Sequence, residues 1–413
     1  MIEKQNDSSA AELEFQIAKQ ILTPREKRLM TLLFEPSGAC SGQFPETLKT
    51  LTDHYDIDYA NINYSLMLAV LGFWRGWEHF PKSVVPRLKG IHRYCQAKNV
   101  MGMPWLLEKI RLITSRGIPV MFIKGLAMRF HYAPNIPRIM NDYDIAVPRD
   151  RFAEVMELLH DGKVTDKGTS LWSDTVIGRC SGNDIELDVH QWIFKEQGDE
   201  GSGIWKRAIP VRVQDVEVLV PSPEDMLIHQ LNTQANNLFV RELPENRMKW
   251  LFDCRMIWQN AGKFLDPDLI VARASEFHTE YSSRLMLILY AFCLEDQRAI
   301  EIATRIQPIT KPYIKWIKAG MAFGRHMDKM RTYQYAPYGS LDLLRVMRAI
   351  KTSYMEYQIY RAWPRGLESC NSFVQFCLRK RRINNWDDFR RQYFHRLPKN
   401  WLHFFTGNRS AGA

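Results

Sequence analysis

Only seven of the 413 residues are cysteine (Cys40, Cys95, Cys180, Cys254, Cys293, Cys370 and Cys377), and no two of them form a C-x-x-C pair. Odd in number and dispersed, they exclude a disulfide framework and a cysteine-ligated zinc, and they read as small buried hydrophobes. Long apolar runs are missing too. The longest, at 65–74 and 285–294, reach about half of the ~20 residues a helix needs to cross a bilayer, so no transmembrane segment is expected. The start of the chain, MIEKQNDSSAAELEFQ, carries acids and amides where a secretory signal would carry a basic stretch and an apolar block. The expectation is a cytoplasmic protein. No internal repeat or low-complexity tract is present, and 46% apolar with 25% charged residues describes a globular chain able to bury a sizeable core.

Acids are scarce in one place. Residues 341–413 hold 14 Lys and Arg against 5 Asp and Glu, which accounts for nearly all of the formal net charge of +10. Within it, LRKRR (378–382) and FRRQYFHR (389–396) interleave basic and aromatic side chains. Residues 378–396 could therefore bind nucleic acid or an anionic surface, or form a solvated basic helix with its aromatics turned inward.

Apolar residues at three- and four-residue spacing predict helices over most of 10–116, for example at 11–22, 25–34 and 100–114, with Pro24 and Pro45 at helix starts. The period then shortens. Strands are expected at 118–125, 142–147, 173–179, 184–192 and 211–220, and helices through Arg129 and at 151–160. After Val220, Ser222 stands as an N-cap with Pro223 at the first helical position. Further helices are expected at 224–237, 245–259, 282–303 and 341–361. The reading divides the chain into a helical region 1–115, an α/β core 116–220, a helical region 221–340 packed on that core, and a basic aromatic helical segment 341–413.

Three short motifs carry chemistry. In NDYDIAV (141–147), Asp142 and Asp144 are one residue apart, so a strand points both to one face, roughly 7 Å from each other. Their repulsion is relieved by a cation, and hard oxygen ligands suit Mg²⁺ or Mn²⁺; an isolated D-x-D also describes a solvated strand end. In DIELDVH (184–190), Glu186, Asp188 and His190 share one face while Leu187 and Val189 take the other. In FIKG (122–125), Lys124 and Gly125 close a strand before a helix, where backbone N–H groups can meet a phosphate. Arg138, four residues before Asp142, could pair with a triphosphate through its planar guanidinium, although an arginine is more commonly solvated at the surface.

In order, FIKG, R-x-x-x-D-x-D (138–144) and ELDVHQW (186–192), followed by PSPEDMLIHQL (221–231) and MKWLFDCRMIW (248–258), resemble a family of uncharacterised bacterial nucleotidyltransferases within the polymerase-beta-like superfamily. The resemblance covers roughly residues 86–260. Two departures stand out: Gly125 is followed by Leu126 where the superfamily has a second glycine or a serine, and Gln191 separates His190 from Trp192.

The resemblance implies an α+β fold, a small mixed-sheet polymerase-beta-like core flanked by helical N- and C-terminal regions. It implies transfer of a nucleoside monophosphate from a nucleoside triphosphate, ATP among them, to an acceptor hydroxyl, with pyrophosphate released. Asp142, Asp144 and Asp188 would be the catalytic and metal-binding carboxylates for two Mg²⁺ or Mn²⁺ ions. Lys124, Gly125 and Arg138 would hold the nucleotide. Glu186 is the alternative third carboxylate, His190 would orient Asp188 or pack, and Asp253 would tie its helix to the core or bind substrate. A nucleotide- or nucleic-acid-binding protein without turnover, and a phosphotransferase releasing a nucleoside diphosphate, are the competing readings.

Overall fold

In the computed structural model, the structure describes residues 24–34, 44–52, 62–133, 136–138, 140, 142–159, 173–180, 183–194, 203–236, 247–261 and 265–306. The helices expected at 11–22 and 341–361 and the basic segment 378–396 lie outside the described residues.

Five helices come first: α1 (Pro24–Phe34), α2 (Phe44–Thr52), α3 (Ile62–Arg75), α4 (Val85–Met101) and α5 (Met103–Thr114). Then follow β1 (Met121–Phe122), α6 (Lys124–Met128), β2 (Asp142–Ala146), α7 (Phe152–Leu159), β3 (Ser173–Cys180), β4 (Asn183–His190), α8 (Ile204–Arg207), β5 (Ile209–Val213) and β6 (Val216–Val220). Five more helices close the described chain: α9 (Pro223–Asn236), α10 (Arg247–Ala261), α11 (Pro267–Glu276), α12 (Glu280–Leu294) and α13 (Gln297–Arg305). The fold is α+β, with one six-stranded mixed sheet in the order β3-β4-β2-β1-β6-β5 and helices around it. Among the described residues no helix is long and apolar enough to cross a membrane.

The centre of the sheet is a parallel pair, β2 beside β4, with β1 antiparallel to β2 on its other side. Alternation decides what each face meets. Tyr143, Ile145, Leu187 and Val189 are buried on one side, leaving Asp142, Asp144, Asp188 and His190 on the other. Tyr143 projects under the α4–α5 junction, where a Cβ on Gly102 would collide with its hydroxyl. Glycine at that junction is therefore what lets α4 end and α5 begin directly over the strand.

On the acid side lie α6, α9 and α10. The Ser222 hydroxyl accepts the Asp225 backbone N–H at 3.3 Å and starts α9 as its N-cap. α9 then packs against α10, α11 and α12, and its Met226, Leu227, Ile228 and Leu231 are buried. Phe252 of α10 is fully buried, and its ring meets Phe34, Trp74 and Tyr132 at centroid distances of 5.2, 5.6 and 5.5 Å. Burying such a side chain contributes roughly 1.5–3 kcal/mol, so this aromatic cluster binds α1 and α3 to the helix that backs the site. Cys95, Cys254 and Cys293 are buried free thiols, as their dispersal in the sequence suggests, and burial raises the pKa of each.

Three sequence expectations are corrected. The run 211–220 is not one strand but the hairpin β5–β6, turned at Gln214, whose φ is +57°. The turn lacks a glycine, and Asp215 is held from outside by Arg111 of α5 at 2.6 Å. The run 282–303 is two helices, because Glu295 adopts φ +54° and Asp296 caps α13 by accepting the Ala299 N–H. The strand expected at 118–125 is confined to Met121–Phe122, with helix beginning at Lys124.

Candidate functional site

The register of β2 against β4 builds the site. Asp142 lies beside Glu186, Asp144 beside Asp188 and Ala146 beside His190. Paired residues of adjacent strands project to the same side, so the acids of both motifs and His190 share one face. Next to them, the Ile123 N–H donates to the Asp144 carbonyl at 3.2 Å. The chain then turns sharply: Lys124 has φ +45°, a left-handed conformation that costs a lysine on the order of 1–3 kcal/mol. That turn brings its Nζ to 2.5 Å from Asp144 Oδ1.

Asp144 is 3% exposed and sits at the focus of the site. His190 Nε2 lies 2.9 Å from the same Oδ1 and 3.3 Å from Lys124 Nζ. A single ring nitrogen either donates or accepts: bearing a proton, Nε2 donates to Asp144, and without it, Nε2 accepts from Lys124. Burial alone would raise the Asp144 carboxyl. The Lys124 ammonium and the hydrogen bond and charge of His190 override it and hold the carboxyl well below the usual carboxylate range.

Donor atoms of Asp144, Asp188 and His190 all lie within 4.8 Å of one another. Two carboxylates and an imidazole make a donor set that fits a divalent cation, Mn²⁺ as well as Mg²⁺. In this arrangement the Lys124 ammonium supplies the positive charge. Asp142 is half-buried on the same face. Asp144 and burial push its carboxyl upward, while Lys124 and Lys249 pull it down. Glu186, beside Asp142, is exposed.

Behind the acids is a second cluster. Asp253 of α10 is completely buried and accepts Arg138 Nε at 2.8 Å, Arg138 Nη2 at 2.7 Å and the Tyr132 hydroxyl at 2.6 Å. Burial opposes the Arg138 charge, and Asp253 more than restores it, so the guanidinium pKa is raised. Asn99 Nδ2 donates to the Arg138 carbonyl at 2.7 Å. A Cβ on Gly125 would lie 2.5 Å from Arg138 Nη1. The glycine after Lys124 is thus demanded by the approach of Arg138, and Gly125 itself is buried.

Asp142, Asp144, Asp188, His190 and Lys124, singled out from the sequence, come together at one face, with Glu186 at its exposed edge. Arg138 instead faces Asp253, and His190 contacts Asp144 in addition to lying two residues from Asp188. The structure also brings in Lys249, which sequence reasoning missed. Its only signal in the sequence is its position four residues before Asp253, one turn earlier on the same side of α10.

A mixed sheet with an Asp-x-Asp strand set parallel to a second acidic strand, in an α+β frame, agrees with the fold that the sequence resemblance implies. The chain belongs to the uncharacterised nucleotidyltransferase family, whose family model matches residues 71–295, more than half of its length, and it is accordingly a transferase enzyme. Comparison with curated proteins and with solved structures gives no match.

Proposed function

We propose that this protein is a metal-dependent nucleotidyltransferase that moves a nucleoside monophosphate from a nucleoside triphosphate, ATP among them, to an acceptor hydroxyl. The observation that carries the reading is the parallel register that sets Asp144 beside Asp188, with His190 close to both. Asp142, Asp144 and Asp188 would hold two Mg²⁺ or Mn²⁺ ions, whose contribution is to polarise the phosphate and neutralise the charge of the departing group. The acceptor oxygen forms the new bond to the α-phosphorus, and the bond to the bridging oxygen breaks. Pyrophosphate leaves with that electron pair, and Asp188 takes the acceptor's proton. Lys124, 30% exposed at its side chain, exchanges Asp144 for the triphosphate. His190 steadies Asp144. In this reading Arg138 stays with Asp253 and positions the strand that carries Asp142 and Asp144, and Gly125 admits it.

A thermal-shift titration tests the reading. A nucleoside triphosphate at about a hundredfold excess over its dissociation constant contributes roughly 2.7 kcal/mol to the folded state. That stabilisation should need Mg²⁺ or Mn²⁺, because the triphosphate's charge beside three carboxylates is otherwise uncompensated. Equal stabilisation in EDTA would displace the enzyme in favour of a binding protein. In turnover, release of pyrophosphate supports nucleotidyl transfer, and release of a nucleoside diphosphate would assign a phosphotransferase.

A further inference from the structure

Lys249 and Asp253 are four residues apart on α10, so their side chains leave the helix on the same side. That side is fixed in place by Asp253, which is locked to Arg138 and Tyr132. Lys249 is half-buried there, and among the described residues it forms no hydrogen bond and no ion pair within 4 Å. It is nevertheless within electrostatic reach of Asp142, Asp144 and Asp253. Burial and Arg138 push its ammonium down to about 8, against the pull of those three carboxylates. Asp142 feels Lys249 in return, is half-buried as well, and also forms no ion pair among the described residues.

Geometry ties that side of α10 to the acids: Asp253 holds Arg138, Arg138 abuts Gly125, and the neighbouring Lys124 reaches Asp144. Of the other two cations described at the site, Arg138 stays with Asp253, and Lys124 rests against Asp144 until a nucleotide takes its place. A partly desolvated ammonium without a carboxylate partner is compensated once an anion arrives. We propose that Lys249 is a phosphate-binding residue of the site. Its ammonium contacts a non-bridging oxygen at the pyrophosphate end of the nucleoside triphosphate. Asp142 would help hold a divalent cation, and Lys249 would add a second positive charge to the phosphate that the cation neutralises. The inference rests on the nucleotidyltransferase reading of the same site, and it adds α10 to the nucleotide's wall.

The test measures magnesium pyrophosphate and magnesium ATP by calorimetry, and Mn²⁺ alone by electron paramagnetic resonance, on the full chain. Lys249→Met keeps the aliphatic stem and removes the charge. It should weaken both phosphate ligands about ten- to hundredfold, the value of one charge-assisted hydrogen bond, and retain or tighten Mn²⁺. Lys249→Arg should recover most of the phosphate affinity. A folded Lys249→Met that binds pyrophosphate like the wild type overturns the proposal. So does one that loses Mn²⁺ and pyrophosphate together, since that marks a structural role. Lys249→Gln carries the same comparison should the methionine variant not fold. A wild type that binds neither phosphate ligand, with or without Mg²⁺, counts against the nucleotidyltransferase reading itself and takes this inference with it.

Discussion

Asp144 and Asp253 are both buried aspartates paired with a cation and a second hydrogen-bonding side chain, yet their surroundings differ in one decisive respect. Around Asp253 every partner is sealed: Arg138 is 7% exposed and engages both carboxylate oxygens in a fork. Around Asp144 the partner is Lys124, a single-point ammonium on a flexible stem that still touches solvent. A planar guanidinium fork holds geometry, whereas a lysine can let go and be replaced by another cation. The first pair fastens α10 to the strand, and the second keeps a carboxylate charged and ready.

The largest effect that would expose this contrast is Asp253→Asn. It strands the Arg138 charge in the interior, and breaking a buried pair costs ~3–5 kcal/mol. Urea denaturation should show that loss, and a change below about 1 kcal/mol would make the Asp253 pair no different from a surface one. Asp144→Asn should cost less, about 1–3 kcal/mol, because Lys124 can turn to water, while nucleotidyl transfer falls to background. Transfer at the wild-type rate in Asp144→Asn would remove Asp144 from the site.

The smallest effect has the opposite sign. The Asp142 carboxyl is raised by Asp144 and burial, so in the pH range where the unfolded chain has lost this proton the folded chain still favours keeping it. Ionised Asp142 therefore costs stability, a cost absent below the ordinary carboxylate range near ~4 and complete above the raised value. Asp142→Asn should raise the melting temperature at neutral pH, and the gain should vanish in acid. Asp144 behaves the other way, since its depressed carboxyl contributes stability above the ordinary range that is lost as pH falls through the lowered value. A melting temperature that falls in Asp142→Asn would show that the two acids of the D-x-D are not in opposite roles.

Much of the site was legible before the fold, because strand alternation alone puts Asp142 with Asp144 and Asp188 with His190. What alternation leaves open is the neighbour of each strand, and the parallel register that sets Asp144 beside Asp188 is a tertiary fact. The pairing of Arg138 with Asp253 spans 115 residues and leaves no local trace, so an arginine near an Asp-x-Asp reads as a phosphate ligand when only the sequence is in view. Lys249 is hidden for the same reason, as it matters only once Asp253 has oriented its helix. The missed breaks share one cause. Gln214 and Glu295 take left-handed conformations without glycine or asparagine, and long-range contacts such as Arg111 to Asp215 hold the chain where the turn residues alone would not.

The parallel register also decides how this enzyme can change over generations. Three chemical groups sit on alternate positions of β4, with Leu187 and Val189 between them. Losing or gaining one residue inside that strand does not blur the site by degrees; it swaps the faces outright, sending two aliphatic side chains into the polar wall and an acid and an imidazole into the core. Lineages descended from this chain are thus freer to exchange one aliphatic residue for another at positions 187 and 189 than to change the length of β4, and a one-residue indel between Asp184 and His190 is expected to cost the activity together with that strand's packing.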